Sequence, residues 1–128
     1  MSEDKRLREH PEQRIDHPDL QFNLNDTAAK LLAEPLGSRR HRQETLYRHG
    51  PLTVALFLFE AGASLAPHEA EGVVTVQVLQ GRLKMSAEQR THDLPAGSLL
   101  VLAPGVKHDV QAIEASRMLL TVCLDSRT

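Results

Sequence analysis

The sequence predicts an all-β barrel preceded by one short helix, and three observations carry that prediction. Seven short segments rich in apolar or β-branched residues follow one another from Leu52 to Leu124. Turn material fences them, at Gly62, Gly81, Pro95-Ala96-Gly97 and Pro104-Gly105. At 128 residues, 41% apolar and 25% charged, the chain has the length and composition of one ordinary folded domain. Strands this short and this evenly spaced bury their apolar faces by packing or closing on themselves.

Taken in order, residues 1–20 are charged, carry Pro11 and Pro18, and show little apolar periodicity. They read as an arm, disordered or laid on a partner, with His10 and His17 solvated. Residues 21–50 hold a helix and an edge segment. Asn25 or Asp26 is placed to cap a helix whose Ala28, Leu31 and Leu32 share a face, and Pro35 with Gly37 ends it. In "GSRRHRQETLYRHG" Thr45, Tyr47 and His49 alternate as in an edge strand. Arg39, Arg40 and Arg42 read as a solvated charge run rather than an anion site, and His41 and His49 as facing water.

The barrel occupies residues 51–126, with strands in "LTVALFLFE", "GVVTVQVL", "GRLKMSA", "RTHDL", "GSLLVLA", "KHDVQAI" and "SRMLLTVCL". The first of these is apolar throughout, and only its length and its Gly and Pro flanks favour a strand over a buried helix. His92 and Asp93 fall at a hairpin end and read as solvent groups. Cys123, the single cysteine, excludes an internal disulfide and any cysteine zinc cluster. Within "MLLTVCL" it reads as a small buried hydrophobe.

Composition narrows the partners. Fifteen basic and seventeen acidic residues leave a net charge of −2, with no field of one sign to draw a polyanion or an anionic membrane. Aromatic residues make up 3% of the chain, too few for base-stacking platforms. No window is apolar enough to span a bilayer and no export signal opens the chain. The expectations are a cytoplasmic protein with no nucleic-acid and no membrane partner.

The chemistry lies in two stretches. Gly62 is followed after five residues by His68, and Gly81 closes the stretch. Gly97 opens the second, which runs through Pro104 and Gly105 to His108. Together they resemble the two signature motifs of the cupin superfamily, over about three fifths of the chain. The resemblance implies a cupin (double-stranded β-helix, or jelly-roll) barrel with a pocket inside. In that family two histidines and a carboxylate from the first motif, and one histidine from the second, usually hold a divalent metal.

Carried over position by position, His68 matches the first ligand and His108 the last. Ala70 stands at the second histidine position and Val74 at the glutamate position, while Ala103 and Ala112 replace a proline and an asparagine of the second motif. Alternation puts His68, Ala70, Gly72, Val74, Val76 and Val78 on one face, and Glu69 and Glu71 on the other. His108, Val110 and Ala112 form the matching row.

The expected pocket is therefore lined by His68, Ala70, Val74, Val76, His108 and Val110. Two histidines fall short of a structural or catalytic zinc set and of an iron facial triad. Three readings follow. The first is a metal-poor barrel binding a small, largely apolar molecule, with the two imidazoles meeting its acid or carbonyl group. The second is a metal-dependent dioxygenase, isomerase or lyase, with zinc, nickel, iron or manganese on His68 and His108 and a bulge bringing in Glu69 or Glu71. The third is a dimeric interaction module without an active site. Cofactors are thus none or a weakly held divalent metal, and the family resemblance implies a homodimer.

Overall fold

The structure, a computed structural model, describes residues 18–124. Residues 1–17, and with them His10, His17 and most of the expected arm, lie outside the described residues. Helix α1 (Leu24–Leu32) opens on Asn23, whose side-chain oxygen accepts the Asp26 N–H at 3.0 Å. The cap is Asn23, not Asn25 or Asp26, which lie inside the first turn. There the Asp26 carboxylate complements the helix N-terminus. Ala28 and Leu31 are buried as expected, but Leu32 is 49% exposed because one further residue turns it off the packed face.

Nine strands follow among the described residues: β1 (His41–His49), β2 (Leu52–Phe59), β3 (Ser64–His68), β4 (Gly72–Gln80), β5 (Arg82–Ala87), β6 (Arg90–Pro95), β7 (Leu99–Leu102), β8 (His108–Ala112) and β9 (Ser116–Leu124). They form a five-stranded sheet in the order β1-β2-β9-β4-β7 and a four-stranded sheet in the order β3-β8-β5-β6. Each observed pairing is antiparallel. This is the all-β jelly roll with a short N-terminal helix. No helix among the described residues is long and apolar enough to cross a membrane.

The patterns explain which faces meet. In β4, Val74, Val76 and Val78 are buried between the sheets while Val73, Gln77 and Leu79 face outward. Strand β2 lacks alternation because it is buried on both sides. Its Ala55, Phe57 and Phe59 join the core between the sheets, and its Leu56 and Leu58 pack with Ala28, Leu31 and Leu46 beneath the helix. Met85, Leu83 and Met118 fill the middle of the main core.

Three further expectations change. Strand β3 was not visible in the sequence: "SLAPH" carries a proline and no alternation. It survives as an edge strand, where Pro67 can forgo an N–H, and its register slips between Leu65 and His68. Cys123 is exposed, on the outer side of β9, rather than buried. His41 is half-buried rather than facing water. Its ring lies 6.1 Å from that of Phe57 and 5.8 Å from that of Phe59, since it pairs with Phe59 on the inner face of β1.

Candidate functional site

His108 opens β8, just after the Pro104-Gly105 turn. That turn is pinned by the Gly105 N–H, which donates to the Ala70 carbonyl at 2.8 Å. The His108 side chain is only 4% exposed, and its Nδ1 lies 3.1 Å from the Val106 carbonyl oxygen. A carbonyl has no proton to give, so Nδ1 carries a hydrogen and donates it to Val106. Val106 thus fixes both the tautomer and the orientation of the ring, a role that nothing in its residue type announces.

Along β8 the inward row is His108, Val110 and Ala112, all buried, as the alternation predicts. Asp109 turns to the other face, where its carboxylate accepts the Ser86 N–H at 3.1 Å. His68 ends β3 as the direct register partner of His108, and Ala87 of β5 is the partner on the other side. The structure therefore brings the backbones of the two expected histidines side by side.

The remaining expected pocket residues arrive differently. His68 and Val74 do not lie on one continuous strand. The chain leaves β3 of the four-stranded sheet, turns through residues 69–71 and enters β4 of the five-stranded sheet. Val74 and Val76 thus belong to the sheet opposite His108. They and Val110 are packed in the main core, with half-buried Ala70 against it.

The donor set does not fit a metal of the kind the cupin barrel usually holds. Val74 occupies the carboxylate position, and Glu69 and Glu71 are both exposed, so the irregular turn does not carry either of them inward. Among the described residues no three His, Cys, Asp or Glu side chains come together as a metal-holding group. Imidazole alone, without a third protein ligand, falls short of the sets that hold zinc or iron firmly.

The other polar residues sort by strand parity. Asp93 faces out and makes a two-pronged ion pair with Arg82, at 2.8 Å to Nε and 2.6 Å to Nη2. The Arg82 hydrogen bond holds the Asp93 carboxyl below its usual range, and the same bond raises the Arg82 guanidinium. His92 has the parity of buried Leu94 and is half-buried, so it is not the solvent group expected of a hairpin end. That parity was the available signal. Arg40 donates to the Ala61 carbonyl at 2.6 Å, while Arg42 reaches the Glu34 carbonyl at 3.0 Å and Glu60 at 3.4 Å. Two of the three arginines, exposed Arg40 and half-buried Arg42, thus tie the chain to itself rather than forming an anion site.

Two of the concavities among the described residues are of small-molecule size. One, of about 450 Å³, lies on the outer side of the four-stranded sheet among Ser64, Lys84, Ser86, Thr91, Asp109 and Gln111. The other, of about 480 Å³, lies between β6 and β7 and is lined by Ala87, Arg90, His92, Leu100, Leu102 and Val106.

A family model described as the AraC-like ligand binding domain matches residues 53–121. Several solved structures share the fold. A conserved protein of unknown function from Streptococcus pyogenes is 24% identical, with 88% of this chain and 92% of that one covered and a TM-score of 0.70. A cupin superfamily protein from Desulfitobacterium hafniense is 21% identical over 73% of this chain and 85% of that one, with a TM-score of 0.67. Salicylate 1,2-dioxygenase from Pseudoaminobacter salicylatoxidans is 16% identical, with 84% of this chain but 38% of that one covered and a TM-score of 0.71. At these identities the likeness is one of fold. No curated protein matches the chain.

Proposed function

Because the chain belongs to the AraC-like ligand-binding-domain family of cupin-type barrels, we propose that it is a small-molecule-binding module that works without a resident metal. Its ligand is small and largely apolar and carries an acid, hydroxyl or carbonyl group that meets His108. The observation behind this reading is one buried imidazole in an apolar core, its tautomer set by the Val106 carbonyl. An imidazole edge can hydrogen-bond an acid, hydroxyl or carbonyl group. An apolar site with a few convergent polar groups is the common form of a small-molecule pocket. His68 takes part from the neighbouring strand.

The metal-dependent enzyme is the rival, and one preparation separates the two. Untagged protein is expected to carry far less than one equivalent of metal by elemental mass spectrometry. Added zinc, nickel, manganese or ferrous ion should leave its melting temperature unchanged, because a ligand that binds the native state must raise it. Near-stoichiometric metal that disappears in His68→Ala and His108→Ala overturns the metal-free reading. Sedimentation of the same untagged protein tests the expected homodimer.

A further inference from the structure

We infer that the cleft between β6 and β7 is the port and outer half of the ligand site, and that it takes a molecule with an apolar body and a single carboxylate at its outer end. This rests on the reading that the barrel binds a small molecule near His108.

The cleft exists because of how the sheets end. Strand β6 is hydrogen-bonded on one side only, to β5, and β7 on one side only, to β4. The two edges face each other without a ladder, which leaves the wall of the sandwich open there. Its volume of about 480 Å³ falls within the ~300–1,000 Å³ of small-molecule sites.

The floor is apolar and continuous with the core. Ala87 and Leu102 are core residues, and half-buried Leu100 and Val106 pack against them. An apolar body lying there removes apolar surface from water on both partners, at about 25 cal/mol per Å².

The rim carries the charge. Arg90, exposed, and His92, half-buried, share the parity of inward-facing Leu94 and so stand on the cleft side of β6. Arg82, on the next strand, is engaged by Asp93, whereas Arg90 makes no ion pair among the described residues. A guanidinium can grip a carboxylate with two parallel hydrogen bonds.

The turn before Arg90 is strained. Glu88 has φ 60°, the only positive φ on a non-glycine among the described residues. It is held by its N–H, which donates to the Lys107 carbonyl at 3.3 Å. Such strain persists where the surrounding structure imposes it, and it concentrates at binding sites. The two-residue turn it permits puts Arg90 directly opposite Ala87. The Glu88 carboxylate, also on the cleft, disfavours a second negative charge on the ligand.

The cleft and His108 are adjoining parts of one site. Ala87 is the register partner of both Arg90 and His108, so the two lie two strand spacings apart, roughly 10 Å. The Val106 that lines the cleft is also the residue whose carbonyl orients the His108 ring.

The test uses octanoate, with octanol and the dicarboxylate hexylmalonate, whose two carboxylates share one end, as comparators, read by melting temperature and by amide chemical shifts of isotope-labelled protein. Octanoate is expected to raise the melting temperature and to shift amides at residues 87–92 and 100–106. Octanol should bind more weakly than octanoate, and hexylmalonate, with two carboxylates at its outer end, should bind more weakly than octanoate but gain affinity in Glu88→Gln. Arg90→Gln, an exposed substitution whose fold is checked by circular dichroism, should weaken octanoate about tenfold, as expected for a charged hydrogen bond. Equal binding of octanoate and octanol, an Arg90→Gln protein with wild-type affinity, or no shifts at the cleft amides each overturns the proposal. His108→Gln separates the two ideas. Loss in Arg90→Gln alone is the result the cleft predicts, since octanoate carries no second polar group for His108, whereas loss in His108→Gln alone puts the carboxylate at His108, keeps the barrel reading and removes the cleft.

Discussion

At Gly72 the β4 backbone runs so close to β9 that any Cβ would collide with the Cys123 carbonyl oxygen and the Leu124 Cα. Both obstacles are backbone, held by the β4–β9 ladder, so neither can swing aside. Gly72→Ala is expected to destabilise by about 1–3 kcal/mol, the usual range for overpacking, measured as a fall in the urea midpoint at unchanged slope. Asp93 offers a pH-dependent case. Its folded pKa lies below the ordinary 3.8, so the carboxylate contributes stability above that value and the contribution is lost as pH falls through the folded pKa. Asp93→Asn should melt slightly below wild type at neutral pH, and the two curves should converge in acid. A gap that persists once the Asp93 carboxyl is protonated in both the folded and the unfolded chain would show that the ion pair is not its cause. Single residues were legible in the sequence where a motif or parity marked them, as at His108 and Val110. The buried Ser116, whose hydroxyl accepts the Arg82 N–H and lies within hydrogen-bonding reach of the Arg82 and Glu114 carbonyls, left no such mark.

Elements were legible where both their flanks and their faces agreed. Seven barrel strands sit where Gly and Pro fences and apolar runs put them, because those residues set the turns and the pleat whatever the surroundings. Strand β3 escaped notice because an edge strand need not alternate or donate every N–H. The two-sided burial of β2 was likewise hidden, since only the arrival of the helix tells Leu56 and Leu58 from outward-facing residues. At the helix, a cap is a matter of one residue's backbone angles, and three Asx residues in four positions left the choice open. Asn23 holds the extended geometry, φ −98° and ψ 106°. Asn23→Ala should therefore cost about 1 kcal/mol in chemical denaturation, while Asn25→Ala costs a few tenths at most. Equal losses from the two substitutions would place the cap elsewhere.

At the scale of the molecule, the all-β sandwich or barrel was legible in the evenly fenced strands, and its family in the resemblance of the two glycine-framed motifs to those of cupins. The interior was less legible. Parity told which side chains point inward, but not that the chain changes sheet between His68 and Val74, nor that β6 and β7 leave a gap. Both depend on contacts between segments far apart in sequence. Those contacts also set a clock. The last strand among the described residues, β9, lies in the middle of its sheet, between β2 and β4, which were made long before it. During synthesis both older strands present bare hydrogen-bonding edges until residues 116–124 have left the ribosome. Refolding of the purified chain should take milliseconds to seconds by stopped-flow fluorescence of its single tyrosine, as pairings this distant require. In the cell the same delay leaves two sticky edges open for the whole time the C-terminal third is being translated, the interval in which a chaperone has most to offer this protein.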